Sequence, residues 1–134
     1  MIVVDSSVWI DYFSGKMTPA AEKLDSLLGE TPIAAGDLML VEVLQGFKTD
    51  NDFAKARDLL MSLNIVNMLN TTIALKSAAN FRTLRKKGVT VRKTIDTIIA
   101  TYCIENKLPL LYSDKDFQPF EKHLKLQNAR HTAP

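Results

Sequence analysis

Short apolar runs alternate with amphipathic stretches along the whole chain, and this alternation constrains the fold more than any other feature. The runs have the length of strands, and the stretches carry apolar residues at helical spacing. Strands that alternate with helices predict an α/β fold around a mostly parallel sheet. The predicted strands are residues 2–4, 32–35, 65–66, 108–112 and a last short one at 124–126. The predicted helices are residues 7–13, 18–28, 38–47, 53–63, 72–87 and 95–106.

The size and composition of the chain predict one domain in a reducing compartment. Its 134 residues suit a single domain over residues 1–134, with residues 127–134 expected to be a disordered tail. The single cysteine, Cys103, excludes an intrachain disulfide and fits the cytoplasm. The N-terminus does not resemble a signal peptide, and no apolar run approaches the roughly 20 residues that cross a bilayer. We therefore expect a cytoplasmic protein without a membrane partner.

Two of the predicted strands run directly into acidic residues. Asp5 follows the first strand, and Asp114 and Asp116 follow the strand at residues 108–112. Because the carboxyl ends of parallel strands meet at one edge of a sheet, these acids are candidates for a shared site. The alternative for Asp5 is that it only caps the helix that follows.

Two further acids lie on predicted helices. Asp96 lies in the first turn of its helix, where its side chain can point toward the strand ends, although the helix dipole alone can explain an acid there. Glu42 interrupts a helix that is apolar on nearly every face. Because an unpaired buried carboxylate costs several kcal/mol, Glu42 must find a cation, a proton or a pole of the helix. A simple salt bridge is one explanation, and a metal ion is the other.

Acids that converge at one edge repel one another unless a hard cation lies among them. Mg²⁺ suits carboxylate oxygens, and Mn²⁺ can replace it. Such an ion activates water and stabilises charge on a phosphodiester, so that no nucleophilic side chain is needed. The two histidines, His123 and His131, lack ligand-like spacing, and we expect Cys103 to lie in the core.

Three blocks of the sequence resemble a known family. The opening VVDSSVWIDYF resembles the first motif of PIN domains, and LVEVLQGF resembles the helix that carries the family's glutamate. The stretch RKKGVTVRKTIDTIIATYCIENKLPLLYSDKDF resembles the VapC toxins of bacterial toxin–antitoxin pairs. The resemblance implies a three-layer α/β/α fold, a Mg²⁺-dependent endoribonuclease, a homodimer and a cognate VapB-like antitoxin that blocks the site.

The resemblance also assigns roles to individual residues. Asp5, Glu42 and Asp96 match the three core metal-site acids of the family. The fourth acid falls at Asp114, and Asp116 is close enough to replace or assist it. The small polar positions that orient water or the carboxylates fall at Ser6 and Ser113.

A run of basic residues precedes Asp96. Residues 76–95 contain no acid and seven of the chain's 17 lysines and arginines. A phosphate backbone needs such a patch beside a metal site, although a solvated helix face has the same composition. The candidate RNA-binding residues are Arg82, Arg85, Lys86, Lys87, Arg92 and Lys93.

Other functions fit the sequence less well. A receiver-type signalling domain expects an acid pair after the first strand, and a haloacid-type phosphatase expects Asp-x-Asp, but residues 6 and 7 are serines. A catalytically dead binding module would not need all the acids. A PIN-type nuclease with a housekeeping RNA or DNA substrate, including the longer flap-type enzymes, is the remaining alternative.

The apolar stripes at residues 8–13 and 38–47 flank the proposed site. We expect an amphipathic antitoxin segment to lie between them, with a cation from the partner reaching the carboxylates. The alternative is that both stripes belong to the core.

Overall fold

The computed structural model describes residues 1–131, which form a parallel sheet between two layers of helices. The strands are β1 (Ile2–Val4), β2 (Ile33–Gly36), β3 (Asn64–Val66) and β4 (Leu110–Leu111). The helices are α1 (Ser6–Phe13), α2 (Pro19–Leu27), α3 (Asp37–Leu44), α4 (Asp50–Met61), α5 (Thr71–Lys86), α6 (Thr94–Glu105) and α7 (Gln118–Leu124). Short 3-10 helices span Lys115–Phe117 and Ala129–His131. The predicted α/β fold with a parallel sheet is confirmed.

The strand order is β3-β2-β1-β4, and every pair is parallel. Val4 pairs with Leu111, and the amide of Asp5 donates to the Leu111 carbonyl at 2.9 Å. The carboxyl ends of β1 and β4 are therefore level. The residues that follow these two strands start from the same edge of the sheet.

The alternation of side chains along the strands divides the core between the two faces of the sheet. Val3, Ala34 and Leu110 face the layer of α5, α6 and α7. Ile2, Val4, Ile33 and Leu111 face the layer of α1 to α4. Cys103 of α6 is fully buried in the first of these cores, as predicted.

The predicted strand at residues 124–126 is wrong. Leu124 ends α7, and Lys125 takes a left-handed conformation with φ 65°, which stops the helix and turns the chain. The amide of Leu126 donates back to the Phe120 carbonyl at 3.2 Å, so residue 126 closes the helix end instead of joining the sheet. The apolar pair Leu124 and Leu126 reflects packing at the end of a helix that was not predicted from the sequence.

Part of the expected disordered tail is ordered. The amide of Leu110 donates to the Gln127 carbonyl at 2.9 Å, Leu110 forms a parallel bridge with Asn128, and Ala129 is fully buried. Residues 127–131 therefore run along the outer side of β4. Residues 132–134 lie outside the described residues.

Within residues 1–131, no helix combines the length and the apolar character that a membrane crossing requires.

Candidate active site

Asp5 begins α1 at the end of β1 and is almost fully buried. Its Oδ2 accepts from the Ser7 amide at 3.2 Å and from the Ser7 hydroxyl at 2.6 Å. Asp5 is thus a helix cap, as the structural alternative proposed, and it also lies among other carboxylates. Burial raises the pKa of Asp5, the hydrogen bonds from Ser7 and Ser6 lower it, and the charge of Glu42 raises it.

Glu42 lies on α3 and is half-buried. Its apolar neighbours in the sequence suggest deeper burial, but the adjacent Val41 is itself largely exposed. The Oε1 atom of Glu42 accepts from the Ser6 hydroxyl at 2.7 Å. The salt bridge that was the alternative to a metal ion is not among the ion pairs of residues 1–131. The two partners come from α1 and α3, so this hydrogen bond orients Glu42 toward the end of β1.

Asp96 lies in the first turn of α6 and is 5% exposed. It does not cap the helix, and its Oδ2 is buried without a hydrogen-bond partner in the described part of the chain. Burial is the main cause that raises its pKa to about 7; the charges of Asp5, Asp114 and Glu42 act in the same direction, and the charge of Lys93 opposes them. The fold therefore places four acids from four parts of the chain close together, although their charges repel one another.

Asp114 and Asp116 lie after β4. Carboxylate oxygens of Asp96, Asp114 and Asp116 all lie within 4.8 Å of one another. Asp114 also accepts from the Asp116 amide at 2.9 Å, and Asp116 pairs with the Arg92 guanidinium at 3.2 Å. We call Asp5, Glu42, Asp96, Asp114 and Asp116 the acid rim.

The acid rim has the chemistry of a site for a hard divalent cation. All of its donors are carboxylate oxygens, which is the set that Mg²⁺ and Mn²⁺ prefer. The orphaned Oδ2 of Asp96 is the strongest local sign, because a buried acceptor without a partner costs free energy that a cation would recover.

The remaining candidate residues differ in how closely they are connected to the acid rim. Ser113 is exposed and makes no hydrogen bond within residues 1–131, unlike Ser6. The six candidate RNA-binding residues are all exposed on the end of α5 and on the loop before α6. Arg92 pairs with Asp116, and the charge of Lys93 lowers the pKa of Asp96. Arg82 and Arg85 instead line a groove between α5 and α6. Lys76, at the start of the basic segment, is paired with Glu105.

Two residues near the rim have roles that were not predicted from the sequence. Ser7 holds Asp5 in place, and the motif Asp-x-Ser at a helix start could have shown this. Asp37 follows β2 as Asp5 follows β1, but its Oδ1 accepts from the amides of Leu38 at 2.9 Å and Met68 at 3.0 Å. Asp37 therefore ties α3 to the loop after β3, and it serves the fold.

A parallel three-layer α/β/α domain with a rim of carboxylates at its strand ends has the architecture of a metal-dependent nuclease. Residues 2–122 match the family described as "PIN domain". The chain is 30% identical over 131 residues to "Ribonuclease VapC11" of Mycobacterium tuberculosis, covering 96% of this chain and 98% of that protein. The chain belongs to the PIN-domain family and, within it, to the VapC ribonucleases. The receiver-type and phosphatase alternatives are thereby excluded.

Solved structures agree with this assignment. A toxin–antitoxin complex from Klebsiella pneumoniae is similar with a TM-score of 0.68 and 26% identity, covering 87% of this chain and 90% of that chain. VapBC2 from Rickettsia felis, solved bound to a DNA fragment from its promoter, has a TM-score of 0.72 over 96% of this chain and 97% of that one. Its 19% identity supports the fold alone.

Proposed function

We propose that this protein is the toxin of a toxin–antitoxin pair and hydrolyses RNA phosphodiester bonds at the acid rim with the help of Mg²⁺, for which Mn²⁺ can substitute. Family membership supports the ribonuclease class. The observation that carries the assignment of the site is the cluster of acids around Asp96: oxygens of Asp96, Asp114 and Asp116 lie within 4.8 Å of one another, and the charges of Asp5 and Glu42 also act on Asp96. Those acids come from separate parts of the sequence, and packing alone does not require them to meet.

Asp5 and Asp96 would hold the ion, with Glu42 and Asp114 binding directly or through water. When bound, the ion would activate water and stabilise the negative charge that develops on the phosphate. The other residues of the site prepare the carboxylates for this task. Ser6 and Ser7 donate to Glu42 and Asp5, which fixes the orientation of both carboxylates before any ligand arrives.

Arg92 is the cation best placed to contact the scissile phosphate. Its pairing with Asp116 at 3.2 Å holds the guanidinium at the acid rim, although 79% of the side chain is exposed. Arg82, Arg85, Lys86, Lys87 and Lys93 extend the positive surface along the end of α5 and the loop after it. This arrangement supports a path for the RNA backbone that ends at the acids.

A VapB-like antitoxin, a homodimer and a cytoplasmic location complete the proposal. Most residues of the two apolar stripes are core, including Val8, Trp9 and Val43. Ile10 of α1 and Val41 of α3 remain 47% and 62% exposed, and they support an apolar contact for the antitoxin beside the acid rim. The Klebsiella pneumoniae neighbour is a toxin–antitoxin complex, which supports a partner of the same kind.

The direct test is cleavage of total cellular RNA by the purified protein, with Mg²⁺ and with a chelator. We expect discrete fragments with the metal and none with the chelator or with the Asp96→Asn variant. Cleavage that persists in chelator would overturn the metal-dependent mechanism. Co-expression with the neighbouring reading frame tests the partner, because a toxin of this kind should copurify with it and should harm growth when it is expressed alone.

A further inference from the structure

A polar cleft of about 400 Å³ lies at the β4 edge of the sheet, next to the part of the acid rim that follows β4. It arises because the chain after α7 returns along β4, where Ala129 is buried and Asn128 bridges to Leu110. This return brings Arg130 into the same cleft as Ser113, the residue that precedes Asp114. We call this site the C-terminal cleft; it is lined mainly by Tyr112, Ser113, Glu121, Lys122, Asn128 and Arg130.

The charge inside the C-terminal cleft is positive and available to a ligand. Its single acid, Glu121, already accepts from the Tyr112 hydroxyl and, at 3.3 Å, from the Asn128 amide group. Lys122 and Arg130 are exposed, and neither pairs with an acid within residues 1–131. Two cations against one acid leave the cleft with a net positive charge, which suits an anion that arrives from solvent.

We propose that Lys122 and Arg130 bind a backbone phosphate of the RNA next to the scissile one, so that the strand crosses the acid rim between two basic surfaces. This inference rests on the proposed function. Ser113 lines the cleft and the next residue, Asp114, belongs to the acid rim, so a strand bound at the acids can also reach the cleft. A strand held on both sides of the acids cannot swing away from them, which favours productive alignment.

The test measures RNA binding in Ca²⁺, which suppresses cleavage, by the wild type and by the double variant Lys122→Gln with Arg130→Gln. Each bound phosphate of a single strand contributes about 0.7 to the slope of log affinity against log salt. We expect the double variant to bind roughly threefold to tenfold more weakly, with a slope smaller by about 0.7 for each phosphate that it no longer binds. The matched control is Lys16→Gln with Lys48→Gln, which removes the same charge from exposed residues just after α1 and just beyond α3, neither of which lines the C-terminal cleft.

Replacing single phosphates of the RNA by neutral methylphosphonates locates the bound phosphate. At one position beside the cleavage point, the replacement should weaken binding by the wild type but not by the double variant. The double variant already lacks the cations that bind this phosphate, so removing the phosphate charge should cost it nothing. The conservative Lys122→Arg variant should keep that sensitivity. Inorganic phosphate alone should compete only weakly, because the ligand is a phosphate on a strand.

The possible failures are distinguishable. If the wild type cleaves RNA with Mg²⁺ but the double variant and the control have equal affinities and slopes, this inference is wrong and the proposed function stands. If the double variant loses affinity only for the antitoxin, the cleft belongs to a protein interface and the inference is also wrong. If the wild type neither binds nor cleaves RNA, the proposed function and this inference fail together.

Discussion

The acid rim and the basic residues that precede Asp96 in the sequence differ in how their side chains are held. Asp5 and Asp96 are 4% and 5% exposed, and Asp5 and Glu42 are fixed by serine hydroxyls. The basic side chains are exposed, and among the six candidates only Arg92 has an ion-pair partner within residues 1–131. The fold therefore fixes the carboxylates in place and leaves the cations free to adapt.

This difference separates two contributions to the proposed reaction. Buried carboxylates in fixed positions can orient a metal ion and water, which is the part of catalysis that needs precise geometry. Exposed cations can follow a flexible strand, and their attraction for phosphates is electrostatic and falls as salt rises. Substitutions in the two regions should consequently differ in kind as well as in size.

The largest expected effect is the loss of cleavage when a rim carboxylate is neutralised. Asp96→Asn and Asp5→Asn keep the side-chain shape but remove a charged oxygen, so we expect metal affinity and cleavage each to fall by more than about 100-fold. Calorimetry with Mg²⁺ or Mn²⁺ and a cleavage assay measure the two quantities. Asp58→Asn, on the exposed face of α4, is the control and should change neither. Unchanged metal affinity in Asp5→Asn would contradict the site.

Much of this region could be predicted from the sequence, because short strands that end in acid have few structural explanations. Asp5 and Asp114 follow strands whose parallel pairing puts their ends level, as expected. The same reasoning would have included Asp37, which follows β2, yet two backbone amides occupy its Oδ1. Asp5 also accepts two hydrogen bonds on one oxygen, but its charge acts on Asp96, whereas Asp37 is not among the acids that do so. A strand that ends in acid shows where a carboxylate lies, but only the structure shows which other acids lie beside it.

The C-terminal region was harder to predict for a different reason. Helix α7 has seven residues with a proline in its first turn, and it lacks a repeated apolar stripe. The order of residues 127–131 depends on pairing with β4 and on the burial of Ala129, which are long-range contacts without a local sequence signal. The C-terminal cleft could therefore not be found before the structure.

The second effect is on the stability of the metal-free protein, where the buried carboxylates should matter and the exposed cations should not. Burial, aided by the neighbouring acids, raises the pKa of Asp96 from 3.8 to about 7, so the folded protein keeps a proton that the unfolded chain releases between these pH values. The free energy of unfolding of the metal-free protein should thus fall as pH rises from about 4 to about 7. Asp96→Asn should remove part of that fall, on the order of 1–3 kcal/mol, and raise the melting temperature at neutral pH.

Thermal unfolding in chelator across this pH range is the measurement. Asp5 has a pKa raised in the same direction, so some pH dependence should remain in Asp96→Asn. The exposed Asp58→Asn variant should unfold like the wild type. A lower melting temperature in Asp96→Asn would show that the residue supports the fold instead of the site.

A third effect, of intermediate size, should distinguish the role of Asp114 from that of Asp116. Asp114 raises the pKa of Asp96, whereas Asp116 pairs with Arg92. We expect Asp114→Asn to weaken metal binding by more than about tenfold, as for other ligand-shell changes. Asp116→Asn should leave metal binding nearly unchanged and should lower kcat by about tenfold, because Arg92 loses the partner that holds it at the phosphate. The opposite result for metal affinity would make Asp116 the fourth ligand.

The smallest effect should come from the exposed cations. Arg85 lies over the Phe81 ring at 5.7 Å, and Lys86 is the last residue of α5, so changing both to alanine leaves the acid rim untouched. We expect the double variant to bind RNA about threefold to tenfold more weakly, with a salt slope smaller by about 0.7 for each phosphate that is no longer bound. Metal affinity should be unchanged, because both side chains are on the surface.

Salt titrations in Ca²⁺, compared with Lys16→Gln and Lys48→Gln, measure the slopes. If the slopes of the double variant, the control and the wild type coincide, then the end of α5 is a solvated face, and the RNA must reach the acids by way of Arg92 and the C-terminal cleft.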